Sequence, residues 1–203
     1  MSIYKLKSSF QSLLRPLVSR LAGAGVTANQ VTLFAAVLSL AIGGLLLAAP
    51  APGLFLLVPV WMFLRMALNA VDGMLAREHG QKSALGGYLN EICDVVSDAA
   101  LYAPFALVAP FSAIWIAAIV FLATLTEFAG VLGVAHGGGR RYDGPMGKSD
   151  RALLFGALGA LVAFGGTQPD WLWALQPLLC VMLAWTVVNR IRAGLRGATP
   201  AER

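Results

Sequence analysis

Residues 69–98 read NAVDGMLAREHGQKSALGGYLNEICDVVSD, placing Asn69, Asp72, Asn90, Glu91, Asp94 and Asp98 in a chain that is otherwise 58% hydrophobic and 12% charged. The apolar runs on either side are about 20 residues long, enough at 1.5 Å rise per residue to cross a bilayer. The carboxylates therefore stand on membrane-spanning helices, and the expected fold is all-α and polytopic. Ionisable groups in such helices are costly; they face the bundle interior and mark functional sites.

Working outward, six apolar segments are expected to span the membrane, at about 27–49, 53–77, 87–109, 111–136, 150–166 and 169–195. Breakers separate them: APAPG at 49–53, the pair Gly86-Gly87, Ala109-Pro110, GGG at 137–139 and GGTQP at 165–169. Residues 1–24 form a different kind of helix. Phe10, Leu13, Leu14, Leu17, Val18 and Leu21 share one face while Lys5, Lys7, Arg15 and Ser19 take the others, as in an amphipathic helix lying in the membrane interface. Pro16 is expected to bend it. Arg15 and Arg20 interrupt its apolar stretch, which argues against a cleaved signal peptide. One domain over 1–203 is expected, with the bundle at 27–195.

The net charge of +5 is a topology signal. Apart from Arg65, every Lys and Arg maps to one side, in the segments before the first span, after the second, between the fourth and fifth, and after the sixth. The positive-inside rule makes that side, and both termini, cytoplasmic. No soluble basic domain exists to bind nucleic acid. Cys93 and Cys180 lie inside apolar runs, where a thiol is a small hydrophobe, and imply neither a disulfide nor a thiolate metal site.

At 100° per residue, Arg65, Asn69, Asp72 and Ala76 fall at about 0°, 40°, −20° and 20°, one narrow stripe; Asn90, Asp94, Asp98 and Glu91 fall within an arc of about 100°. Two consecutive antiparallel helices can turn these stripes towards each other and form a pocket of oxygen donors. Crowded carboxylates must be protonated, paired with cations or bound to metal. Oxygen donors without His or Cys suit Mg²⁺, Mn²⁺ or Ca²⁺. Gly73 and Gly86 permit close backbone approach, and the Arg77 guanidinium suits a phosphate.

The stretch resembles the signature of the CDP-alcohol phosphatidyltransferases, D-x-x-D-G-x-x-A-R, eight residues, then G-x-x-x-D-x-x-x-D. Here the spacing reads Asn69, Asp72, Gly73, Ala76, Arg77, eight residues, Gly86, Asn90, Asp94. The TANQVT run before the first span and the six-span plan are also similar. The resemblance implies transfer of a phosphatidyl group from CDP-diacylglycerol to a small alcohol or polyol phosphate, with glycerol 3-phosphate the expected acceptor, and release of CMP at the cytoplasmic face of a bacterial-type inner membrane. It implies Mg²⁺ or Mn²⁺ at Asp72 and Asp94 with Asn69 and Asn90, Asp94 as the base, and Gly73, Ala76, Arg77 and Gly86 around the CDP moiety. It also implies a homodimer.

Two signature aspartates are Asn69 and Asn90 here. An amide oxygen can ligate a cation but brings no charge; Glu91 and Asp98 are candidate substitutes on the same face. Lys148, Arg151 and Arg190 are expected to grip the acceptor's phosphate, while Arg140 and Arg141 are read as headgroup anchors. Arg65 and Glu127 are expected to pair with each other. A catalytically weakened family member with a binding or regulatory role is the alternative, favoured by the two asparagines. A transporter would give the D-G-x-x-A-R element no purpose.

Overall fold

A computed structural model describes residues 3–165 and 169–198, with side chains from Phe10 onward. The turn expected across 166–168, Arg203, and the side chains of Lys5 and Lys7 lie outside the described residues. Among the described residues all regular structure is helical: α1 (Ile3–Gly23), α2 (Ala28–Ala48), α3 (Leu57–Glu78), α4 (Ala84–Tyr102), α5 (Ala113–Ala135), α6 (Lys148–Phe164) and α7 (Leu172–Gly197). Short 3-10 turns, Pro52–Leu56 and Ala103–Leu107, precede α3 and follow α4. Each expected span overlaps one of the helices α2 to α7.

Local chemistry sets the boundaries near the signature. Thr27 caps α2 reciprocally: Gln30 N donates to Thr27 Oγ1 at 3.2 Å and Thr27 N donates to Gln30 Oε1 at 2.9 Å. Gln81, in the loop after α3, fastens the same helix start, accepting from Ala28 N at 2.6 Å and donating to the Val26 carbonyl at 3.2 Å. Ser83 caps α4 by accepting from Gly86 N at 3.0 Å, so α4 begins at Ala84 and the Gly86-Gly87 pair lies inside its first turn rather than in a breaker. Gly86 is needed there for proximity, since a Cβ would come 2.9 Å from Asn29 Oδ1. The helix also ends early, at Tyr102, because Pro104 cannot donate to the next turn.

α2 packs against both α3 and α4, α3 against α6, and α5 against α7. The larger core cluster gathers around Phe55, Tyr102, Phe105 and Phe155; the Tyr102 and Phe155 rings stack with centroids 3.8 Å apart. A smaller cluster of Val18, Ala28, Val31, Val71, Met74 and Leu75 attaches α1 to the signature end of α2 and α3. Arg15 reinforces this with a two-pronged ion pair to Glu78, at 3.0 and 3.1 Å.

Large apolar side chains project outwards, among them Phe34, Val37, Phe63, Ile114 and Phe121, as hydrocarbon rather than water demands. Among the described residues, four segments are long and apolar enough to cross a membrane: Ala28–Ala48, Pro52–Glu78, Ala113–Ala135 and Leu172–Gly197. The other two expected spans differ for physical reasons. α4 carries Glu91, Asp94 and Asp98 within 19 residues. α6 has 17 residues, a length of roughly 26 Å against a hydrocarbon core of about 30 Å.

α6 reaches α3 through bare backbone. A Cβ on Gly159 would come 2.8 Å from Val58 Cβ and 3.0 Å from the Phe55 carbonyl, contacts that only a backbone shift relieves. Gly159→Ala is therefore expected to destabilise by about 1–3 kcal/mol, lowering the apparent Tm in detergent. Gly44→Ala, which meets nothing within 4 Å, should leave Tm unchanged or slightly raised because alanine favours the helix.

Candidate active site

The two polar stripes face each other at the signature end of the bundle. From α3, Arg65 Nη2 reaches Asp94 Oδ1 at 3.2 Å and the Asp94 carbonyl at 3.0 Å, while Asn69 Nδ2 lies 3.3 Å from the same Oδ1. From the first residue of α6, Lys148 Nζ pairs with the other oxygen, Asp94 Oδ2. Asp72 is buried and accepts from Thr32 Oγ1 of α2 at 2.7 Å. Lys148 and Asp94 are both close enough to act on it electrostatically. Asn69, Asp72, Asp94 and Lys148 are thus assembled from three helices at one place.

Beside them, Gly73 lets the Arg77 guanidinium fold back across α3. A Cβ there would meet Arg77 Nη2 at 3.0 Å. Arg77 itself is exposed, Ala76 and Gly86 are half-buried, and the group lines the open side of the signature. Bare backbone under a solvent-facing guanidinium is an arrangement able to receive phosphate oxygens.

Deeper in the bundle the remaining charges form a connected set. Asp98 is clasped by Arg65 Nη1 at 2.5 Å and Arg151 Nη2 at 3.0 Å. Glu127 of α5 receives Arg151 Nη2 at 2.8 Å, Arg140 Nη2 at 2.8 Å and Arg190 Nη1 at 3.3 Å. Arg140 also pairs with Glu91. Arg151 Nη1 donates to Thr126 Oγ1 at 3.0 Å and to the Met146 carbonyl at 3.2 Å, and Arg190 Nη1 to the Thr126 carbonyl at 2.5 Å. Five cations, Arg65, Arg140, Lys148, Arg151 and Arg190, are linked to four carboxylates, Glu91, Asp94, Asp98 and Glu127. With Asp72 the charges balance.

Several of these residues have partners other than those expected. Arg65 and Glu127 do not pair with each other; α4 and α6 stand between them and supply nearer partners. Arg151 and Arg190, expected at the acceptor phosphate, are both only 1% exposed and are occupied by core carboxylates and carbonyls. Lys148 alone of the three reaches Asp94. Asp98, a candidate metal ligand, has both oxygens taken by guanidinium groups, and Glu91 is held by Arg140. Arg140 is an inward-turned ion-pair member rather than a headgroup anchor, and its guanidinium also lies 5.2 Å from the Tyr142 ring centroid.

Asp72 and Asp94 are the two carboxylates at this place and Asn69 hydrogen-bonds to Asp94; oxygen donors of this kind suit a hard cation. Among the described residues no group of three or more His, Cys, Asp or Glu is arranged to hold a metal.

Residues 25–191 match the family model described as CDP-alcohol phosphatidyltransferase. The chain belongs to that family. The likeness covers almost the whole length: inner membrane protein YnbA of Escherichia coli (strain K12) is 48% identical over 96% of this chain and 97% of its own. The phosphatidylinositol phosphate synthase of Mycobacteroides abscessus is 28% identical over 92% of this chain and 86% of its own. Among solved structures, the Mycobacterium tuberculosis phosphatidylinositol phosphate synthase in complex with manganese and citrate superposes with a TM-score of 0.73 at 20% identity, covering 93% of this chain and 91% of that one. The same enzyme with CDP-DAG bound gives a TM-score of 0.73 over 93% of this chain and 96% of that one. The chain therefore shares that fold, and family membership makes it a membrane-embedded phosphatidyltransferase.

Sequence reasoning found Asn69, Asp72, Asp94 and Lys148 but missed two supports. Thr32, within the family-like TANQVT run, positions Asp72, and that run was its signal. Arg65 holds the Asp94 backbone as well as its side chain, and its place on the Asn69–Asp72 stripe was the available signal.

Proposed function

We propose that the chain transfers a phosphatidyl group from CDP-diacylglycerol to a hydroxyl of a phosphorylated small alcohol. The observation that carries this reading is the convergence of Asp94, Asp72, Asn69 and Lys148 beside the Gly73–Arg77 surface, on helices matching the family signature. The acceptor oxygen–phosphorus bond forms as the phosphorus–oxygen bond to CMP breaks; the acceptor proton passes to Asp94, and the negative charge leaves on CMP. A bound Mg²⁺ or Mn²⁺ would neutralise the diphosphate and the departing CMP. Arg77, Gly73, Ala76 and Gly86 receive the CDP moiety, and Lys148 attracts the acceptor's phosphate. Arg151 and Arg190 contribute by stiffening the helix ends around it.

Glycerol 3-phosphate is the first acceptor to test. Inositol phosphate is the second, because the Mycobacteroides and Mycobacterium tuberculosis relatives are phosphatidylinositol phosphate synthases. The arrangement proposed is a single domain with six membrane-spanning helices, α2 to α7, over an interfacial α1, both termini and the site at the cytoplasmic face of an inner membrane, in a homodimer. Purified protein incubated with CDP-diacylglycerol, Mn²⁺ and a panel of phosphorylated and unphosphorylated alcohols should yield a new phospholipid from a phosphorylated alcohol, identified by mass spectrometry. Product formed only from unphosphorylated alcohols would refute the role given to Lys148.

The weakened-member alternative draws on Asn69 and Asn90, which remove two charges from the signature. It predicts CDP-diacylglycerol binding without CMP formation in the same incubation.

A further inference from the structure

We propose that Lys148 is an exchangeable counter-ion that competes with a divalent cation for Asp94, so that metal loading and release of the Lys148 ammonium towards an anionic acceptor are one coupled event. This rests on the reading of Asp94 as a metal ligand.

The two cations on Asp94 differ in how firmly they are held. Arg65 is 3% exposed, also binds Asp98, and donates to the Asp94 carbonyl. It cannot withdraw without leaving buried charge behind. Lys148 has a side chain 30% exposed, stands on the first residue of α6, and has Asp94 as the ion-pair partner described for it. A lysine is a point charge on a four-carbon stem with three rotatable donors, able to leave one anion for another nearby.

Charge balance favours this exchange. Five cations already match five carboxylates when Asp72 is included, and Asn69 and Asn90 add none. A divalent cation entering at Asp94 brings two further positive charges next to an ammonium that shares its ligand. Withdrawal of Lys148 relieves that repulsion and frees its charge for a phosphate. By thermodynamic reciprocity, a phosphate that engages Lys148 must then strengthen metal binding, and metal must strengthen phosphate binding.

The test is Mn²⁺ binding to the purified full chain in detergent, followed by electron paramagnetic resonance without CDP-lipid. Lys148→Gln and Lys148→Met should each tighten Kd for Mn²⁺ about tenfold, equivalent to about 1.4 kcal/mol. Lys148→Arg, keeping the charge, should stay near wild type. Inorganic phosphate should tighten Mn²⁺ binding to wild type and have no such effect on Lys148→Gln. Asp94→Asn in the Lys148→Gln background should cancel the gain. Unchanged or weaker Mn²⁺ binding in both neutral variants overturns the proposal. Absence of CMP formation by wild type would overturn the transfer reaction instead and leave the binding shift standing.

Discussion

Asp94→Asn is expected to lower the rate of CMP release by two to four orders of magnitude, the range of a lost general base. The substitution preserves shape but keeps one acceptor oxygen in place of two, so the amide can serve either Arg65 and Asn69 or Lys148. It removes the charge that would accept the acceptor hydroxyl's proton and help retain a hard cation. The fold should persist, because the buried charge set keeps Asp98 and Glu127 as its inner anions. Initial rates with CDP-diacylglycerol and a phosphorylated alcohol, alongside thermal unfolding, separate the two effects: the rate collapses while Tm moves little. Asp72→Asn should act in the same direction, because the carboxylate positioned by Thr32 is the second charge the site can offer a cation.

The largest stability effect is expected at Glu127. Its two oxygens receive Arg140, Arg151 and Arg190, of which the last two are 1% exposed. Glu127→Ala leaves these guanidinium groups facing one another in a low-dielectric interior, and removing one partner of a buried ion set typically costs about 3–5 kcal/mol. A fall in apparent Tm and a rise in aggregation on heating in detergent would report it. Glu127→Gln should recover part of the loss by retaining hydrogen-bond acceptance from one or two arginines. An unchanged Tm in Glu127→Ala would show that the charge set contributes nothing to holding α5, α6 and α7 together.

Much of this arrangement was legible from residue types and spacing. Six apolar segments anticipated α2 to α7 because lipid-facing and core-facing positions are both apolar, so hydropathy alone marks such helices. The 3.6-residue repeat placed Arg65, Asn69 and Asp72 on one stripe, and that stripe does meet Asp94. The Thr27–Gln30 capping box is a four-residue pattern, local enough to be carried by the sequence alone. Boundaries set by single polar contacts were harder: Ser83 draws Gly86-Gly87 into α4, overriding the usual reading of paired glycines as a break. The knot at Glu127 was not legible, since its partners lie 13, 24 and 63 residues away in sequence, at Arg140, Arg151 and Arg190. Basic residues near the ends of apolar segments carry the same signal whether they meet headgroups or turn inwards. Only tertiary packing distinguishes Arg140 from an anchor.

The asparagines acquire a physical context from the same packing. Asn69 hydrogen-bonds to the carboxylate that Lys148 and Arg65 already neutralise. The site therefore has cationic side chains where a more acidic signature would rely on metal charge. That balance is compatible with turnover if one divalent ion and an anionic acceptor displace Lys148 together.

The most direct measurement is CMP release from CDP-diacylglycerol by the purified, detergent-solubilised chain, with Mn²⁺ or Mg²⁺ and a phosphorylated alcohol. Phosphatidyl transfer centred on Asp94 predicts CMP in equal amount to a new phospholipid, abolished by a chelator and by Asp94→Asn. CDP-diacylglycerol that binds yet remains intact with every metal and alcohol tried, or full turnover in Asp94→Asn, would contradict it.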